Sequence, residues 1–216
     1  METVFWHERW ATGQIGFHQS EINPHLRRFW PALELPKGSR VFVPLCGKSR
    51  DMLWLCDQGY EVIGVELSPV AVEAFFAEND LQPTVDHLDS FSVYRTAGLS
   101  LYCGDFFALM QNDLAGVTAV FDRASLVALP PDMRADYAHH MLQLLAPGIP
   151  ILLIAFAYPQ HEMEGPPFSV QEPEICALYG THRKVQRLHS VDLLEREPRF
   201  REKGLSRLEE IVYMLV

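Results

Sequence analysis

The sequence predicts an α/β fold, a mostly parallel sheet covered by helices on both faces. Short apolar runs rich in Val, Ile and Leu alternate with stretches whose apolar residues recur at helical spacing. Such alternation is the signature of strand–helix–strand units. Glycine or proline stands at many of the junctions, where the chain must turn. Hydrophobic residues make up 48% of the 216, enough for a sizeable core and too many for disorder.

The elements follow in order. Residues 40–45 form the first apolar strand and run into a Cys46-Gly47 turn. Residues 49–58 place Met52, Leu53, Leu55 and Cys56 at helical spacing. Residues 61–65 are a β-branched strand, and 69–79 a helix opened by Pro69. Strands are expected at 99–103, before Gly104-Asp105, and at 117–121. A helix over 132–145 and a long apolar strand over 149–157 come next. Residues 182–188 and 208–216 read as closing strands. Residues 1–30, with Phe5, Trp6, Trp10, Phe17, Phe29 and Trp30, precede the first strand, and the prolines over 159–173 favour an ordered loop or lid. The whole chain, 1–216, is expected to be one domain. It has an N-terminal segment (1–30), a core (36–157) and a C-terminal elaboration (158–216).

Charge and composition narrow the function. A net charge of -10 and a pI near 5.3 argue against a nucleic-acid partner, which needs clustered Lys and Arg. The longest apolar run, near 149–157, falls far short of the roughly 20 residues a bilayer requires. The start, Met1-Glu2-Thr3-Val4-Phe5, lacks the basic head and apolar core of a signal peptide. The four cysteines are scattered, so reduced, buried thiols are expected, and the chain is expected to be cytoplasmic and monomeric. The nine histidines include no H-E-x-x-H, and no catalytic metal is expected.

Ligands of open α/β sheets sit beyond the carboxyl ends of the strands. The first strand is followed by Pro44-Leu45-Cys46-Gly47-Lys48-Ser49, where Gly47 lets a ligand approach the backbone. Glu66 ends the second, 19 residues past Gly47, suited to the two ribose hydroxyls of an adenosine. Asp105 and Phe106 follow the third, suited to an adenine, and Asp122-Arg123 the fourth. Each has a plain structural alternative: a tight turn at Gly47, a solvated strand end at Glu66, a helix cap at Asp105, a surface ion pair at Asp122-Arg123. Together they favour a nucleoside-type cofactor. Gly47-Lys48-Ser49 resembles part of a phosphate-binding loop, but the position of that motif's first glycine holds Phe42. A dinucleotide fingerprint also fails, because the glycines flanking Gly47 are missing. S-adenosylmethionine, which has no pyrophosphate, fits.

Three stretches then carry a family resemblance: Phe42-Val43-Pro44-Leu45-Cys46-Gly47-Lys48-Ser49, Gly64-Val65-Glu66-Leu67-Ser68, and Phe121-Asp122-Arg123-Ala124-Ser125-Leu126-Val127-Ala128-Leu129. With Trp6-His7-Glu8-Arg9-Trp10 and Gly16-Phe17-His18, they resemble thiopurine S-methyltransferases from about residue 4 to the C-terminus. The resemblance implies a Rossmann-like class I methyltransferase sheet of about seven strands with an antiparallel one in the last pair. It implies S-adenosylmethionine held by Trp10, Leu45, Glu66 and Arg123, to which the strand-end reading adds Gly47, Asp105 and Phe106. Phe17, His18, Arg123 and Arg199 border the acceptor, with Arg196 and Arg201 as other registers for the last. Residues 1–30 become a helical lid that excludes water, and the acceptor a small aromatic or heterocyclic thiol. Selenium or tellurium species are alternative acceptors. A cofactor-binding regulator and a nucleotide hydrolase using Gly47-Lys48-Ser49 are alternatives of other classes. Cys46 is expected to be a buried turn residue, not a nucleophile.

Overall fold

A computed structural model describes residues 3–216; Met1 and Glu2, at the start of the expected lid, lie outside them. The chain divides into two compact units, residues 1–121 and 122–216.

The first unit opens with helices α1 (Thr3–Ala11) and α2 (Pro24–Phe29). Asn23 starts α2: its side-chain oxygen accepts from the N–H of His25 (2.9 Å) and Leu26 (3.3 Å), a cap that satisfies two orphan donors. There follow β1 (Arg40–Val43), α3 (Asp51–Asp57), β2 (Glu61–Glu66), α4 (Pro69–Glu78), β3 (Thr84–His87), β4 (Ser92–Thr96), β5 (Leu99–Cys103) and β6 (Val117–Arg123), whose last two residues open the second unit. Strands β5, β2, β1 and β6 lie side by side and parallel, with Val43 opposite Gly64 and Glu66 opposite Cys103. β3 and β4 extend this sheet antiparallel beyond β5. Beneath it Trp30 meets Tyr60 and Phe121 edge-on, ring centroids 6.2 Å apart in each pair. Val41, Phe42, Met52, Leu55 and Phe75 are fully buried, and each such side chain contributes about 1.5–3 kcal/mol.

The second unit holds α5 (Pro131–Leu144), β7 (Ile151–Ala157), α6 (Glu172–Tyr179), β8 (Val185–Asp192), α7 (Pro198–Glu202) and β9 (Glu209–Leu215). β9 pairs antiparallel with β7 and with β8. Buried Arg134 of α5 donates to Glu174 of α6 (2.6 Å) and to the Leu129 carbonyl (2.9 Å). The proline-rich loop is ordered by Gln160, whose amide accepts from Ser169 N–H (2.9 Å) and donates to the Met163 carbonyl (2.7 Å).

The α/β class and the parallel core agree with the sequence. The strand count does not: the described residues hold six strands in the first unit and three in the second. The expectation missed β3 and β4, and all four residues of β3 are exposed, so it carries no apolar signal. It also missed α6 and α7, and β8 starts three residues and ends four residues later than expected. Cys46 is buried, but Cys176 is exposed and Cys56 and Cys103 are intermediate, so the expectation of buried thiols holds for one of the four. All four are free. No helix among the described residues is long and apolar enough to cross a membrane.

Candidate functional site

At the end of β1 the chain turns sharply. Leu45 takes φ +41° and Gly47 φ +53°, both in the left-handed region, which is costly for leucine and free for glycine. The turn is tied down by Cys46 N–H donating to the Val65 carbonyl (2.9 Å) and Ser49 N–H to that of Cys46 (3.1 Å). Gly64 lets it settle close to the sheet, for a Cβ there would stand 2.9 Å from Cys46 Sγ and 3.0 Å from Met52 Sδ.

Glu66, the last residue of β2, reaches this turn. Its Oε2 accepts from Gly47 N–H (2.9 Å) and its Oε1 from Ser68 N–H (2.8 Å). It is buried, with no Lys, Arg or His paired to it among the described residues. Burial pushes its carboxyl up to about 7, against the pull of the Ser68, Gly47 and Leu67 amides. The solvated strand end considered from sequence is therefore excluded. Cys46 is equally buried, and desolvation followed by Glu66 raises its thiol well above the ordinary range, which leaves it no thiolate near neutral pH. Lys48 is turned to Glu78 at the end of α4 (2.5 Å), so the lysine a nucleotide hydrolase would need is already paired.

The aromatic N-terminal segment lies against the same turn. A Cβ on Gly47 would come within 3.1 Å of Trp10 Cζ2, so the indole covers the glycine. Phe17 meets Trp10 edge-on at 5.4 Å and Trp6 at 5.7 Å. Trp10 is buried, whereas Phe17 and His18 are half-buried. Asp51 of α3 anchors the end of this segment: it accepts from Asn23 N–H (2.7 Å) and from the Ser49 hydroxyl (3.0 Å). Arg50 adds a bond to the Ser20 carbonyl (3.1 Å). Asp51 was not among the residues expected from sequence, where it reads only as an acidic first helical residue.

After β5, exposed Asp105 accepts from Phe107 N–H (3.0 Å), the cap of a short helical turn considered from sequence. Phe106 is 2% exposed and stacks on Phe42, centroids 6.5 Å apart. Its ring packs in the core, and the exposed ring of the pair is Phe107.

In the second unit Asp122 is buried, which overturns the surface ion pair as a reading of Asp122-Arg123. Its carboxylate accepts from Tyr137 O–H (2.8 Å) and Leu126 N–H (3.3 Å). Burial pushes it up to about 6, opposed by those bonds and by Ser125. Half-buried Arg123 leads into Ala124 at φ +61°. Arg199, on α7, is exposed, pairs with Glu197 (2.9 Å) and lies over the Phe200 ring (4.9 Å). Arg196 and Arg201 are exposed as well. Tyr137 was missed from sequence, because a tyrosine inside a helix carries no mark of a partner 15 residues away.

Within the first unit the structure thus brings together Trp10, Phe17, Leu45, Gly47 and Glu66. A buried carboxylate at the second strand end, beside a glycine turn roofed by an indole, is a geometry suited to a nucleoside. The profile of the family described as thiopurine S-methyltransferase matches residues 1–216. The chain belongs to this family. A thiopurine S-methyltransferase of Nitrosospira multiformis is 53% identical over 216 residues, 100% of this chain and 98% of that one. One of Pseudomonas fluorescens is 50% identical over 215 residues, 100% and 99% of the two chains. Among solved structures, an S-adenosylmethionine-dependent methyltransferase of Thiobacillus denitrificans, in complex with S-adenosyl-L-homocysteine, superposes with a TM-score of 0.63. It shares 15% identity, with 100% of this chain and 98% of that one covered, and it establishes the class I methyltransferase fold.

Two predictions follow from this geometry. Gly47→Ala is expected to destabilise the protein by roughly 1–2 kcal/mol, since it forces a Cβ into a left-handed position against Trp10; urea unfolding measures it. The second concerns the charge on Glu66. Its carboxyl is raised from 4.5 to about 7, so the folded state disfavours the charged form. That penalty is absent below pH 4.5, grows as pH rises to about 7, and is constant above, reaching on the order of 3 kcal/mol. The stability of Glu66→Gln relative to the parent protein should rise over the same window, and a pH-independent difference would refute the assignment.

Proposed function

We propose that the chain transfers the methyl group of S-adenosylmethionine to the sulfur of an aromatic or heterocyclic thiol, leaving S-adenosylhomocysteine. The observation that carries this reading is Glu66: a buried, cation-free carboxylate beside the Gly47 turn. Its oxygens accept backbone N–H bonds, Oε2 from Gly47 and Oε1 from Ser68, and keep lone pairs for a further donor, which a neutral vicinal diol supplies at no cost in charge. The chain's residues therefore fit an adenosyl group.

When bound, S-adenosylmethionine supplies a methyl group made electrophilic by its sulfonium. Glu66 holds the ribose hydroxyls, and the main chain of Leu45 and Gly47 faces the methionyl part. Trp10, already over Gly47, covers the cofactor with an aromatic face suited to a cation. Asp105, and Phe106 through its main chain, serve the adenine end. Phe17 packs on the acceptor ring, with His18 beside it. The motif assigns Arg123 to the cofactor carboxylate or the acceptor, and Arg199 to the acceptor. An arginine near the acceptor lowers the thiol's pKa and orients the thiolate. Aromatic thiols are acidic enough to be partly ionised near neutral pH, so no general base is assigned; holding two sulfurs in line and excluding water supplies several kcal/mol. The N-terminal segment, residues 1–30, acts as the lid. We propose further that the protein works as a cytoplasmic monomer on a small molecule, without nucleic acid or membrane.

Calorimetric titration with S-adenosylhomocysteine, followed by an acceptor panel that sets thiopurines beside selenite-derived species, tests the assignment. Glu66→Ala is expected to weaken that binding by about 1–3 kcal/mol. In the parent protein the affinity should fall as pH drops below about 7, where Glu66 takes up its proton, by up to about tenfold per pH unit. The variant should lose this dependence. Removing residues 1–17 is expected to lower kcat/KM on the order of a hundredfold while shifting the urea midpoint little. A fully active truncated protein would sink the lid.

A further inference from the structure

We propose that Asp122 and Tyr137 are positioning residues for the acceptor: Tyr137 fixes the buried Asp122 carboxylate, and that carboxylate holds the turn that carries Arg123. The inference rests on the reading, above, that Arg123 meets the acceptor. Four observations converge on it, all within the second unit. Asp122 is 1% exposed, and no Lys, Arg or His pairs with it among the described residues, so it stays in the interior through hydrogen bonds alone. One of its oxygens holds the turn and the other is held by α5: Oδ1 accepts from Leu126 N–H (3.3 Å) and Oδ2 from Tyr137 O–H (2.8 Å). Tyr137 is fully buried in α5, so the helix fixes where that hydroxyl stands. The turn itself is strained: Ala124, next to Arg123, takes φ +61°, which a residue with a Cβ adopts only where its surroundings over-determine it.

The Ser125 hydroxyl, 3.4 Å from the Arg123 carbonyl, closes the loop back onto the arginine's own backbone. Arg123 thus leaves the end of β6 on a backbone clamped one residue before it and three after. A guanidinium on a loose turn would sample many directions. One on a clamped turn is aimed before the acceptor arrives, and less freedom is lost on binding.

The test separates aim from fold. Tyr137→Phe keeps the ring and removes the bond that anchors the Asp122 carboxylate to α5. Asp122→Asn keeps an acceptor for one partner and loses the charge. Each is expected to raise KM for an aromatic thiol, and its Kd in the presence of S-adenosylhomocysteine, about five- to tenfold. kcat and the S-adenosylhomocysteine Kd should stay within about twofold. Ala124→Gly is the decisive variant: it relieves the strained φ, so stability should not fall, yet it frees the turn and should raise acceptor KM in the same way. A merely structural role would move the melting temperature and leave the split between KM and kcat alone. Tyr137→Phe added to Arg123→Gln should cost nothing further, as residues acting as one unit are not additive. If Arg123→Gln leaves acceptor binding unchanged, the reading of Arg123 fails and this inference with it. If Arg123→Gln weakens the acceptor but Ala124→Gly and Tyr137→Phe do not, the clamp alone is wrong. Should Tyr137→Phe and Asp122→Asn fail to fold, Ala124→Gly decides by itself.

Discussion

Burying the Glu66 carboxylate without a cation costs several kcal/mol in lost hydration. Backbone N–H bonds from Gly47 and Ser68, each worth about 1.5–3 kcal/mol when one partner is charged, offset much of that cost, while burial still pushes the carboxyl above its ordinary value. A purely structural residue at this strand end would be better as an apolar one. What the carboxylate adds is control of geometry. Gly47 and Ser68 belong to two different turns, one after β1 and one after β2, and a single side chain sets the distance between them. The rim of the first unit takes its shape from that spacing.

Gly47 is bound from both sides. Its N–H is held by Glu66 and its missing side chain makes room for Trp10. The indole could not descend so far onto any other residue type. The aromatic segment therefore depends on the same turn as the nucleoside reading, and Asp51, by holding Asn23, decides where that segment leaves the sheet. Asn23 is thereby fixed on one side of the segment, and Trp10 meets Gly47 further back along it.

Much of this was legible in the sequence because it rests on local chemistry. Gly47 and Glu66 stand at strand ends that apolar runs announce, 19 residues apart. β5 was placed to the residue because an apolar run stops at Gly104-Asp105. What stayed hidden depends on contacts between distant residues. β3 carries no apolar face, and becomes a strand only because β4 offers it a ladder. Phe106 and Phe107 are identical as letters, and only the fold turns the first ring inward onto Phe42. Asp122 beside Arg123 invites an ion pair on paper, and it takes Tyr137, in a helix further along the chain, to show that the carboxylate points inward.

Glu66 and Asp122 turn out to obey one rule. Each ends or nearly ends a parallel strand, each is buried with no cation among the described residues, and each accepts a backbone N–H from a turn containing a non-glycine residue at positive φ. Leu45 is the strained residue in one case and Ala124 in the other. Strain of this kind relaxes unless something opposes it, and an acceptor fixed at a strand end is well suited to do so, because a strand inside a sheet cannot shift to follow the turn. A cation in place of the hydrogen bonds would balance the charge better, but it would compete for the carboxylate oxygens that hold the backbone. The cation-free carboxylate is thus the choice that keeps both turns in conformations their own sequences resist, and it explains why the two acidic residues lie beneath the loops that carry Gly47 and Arg123 and nowhere nearer to solvent.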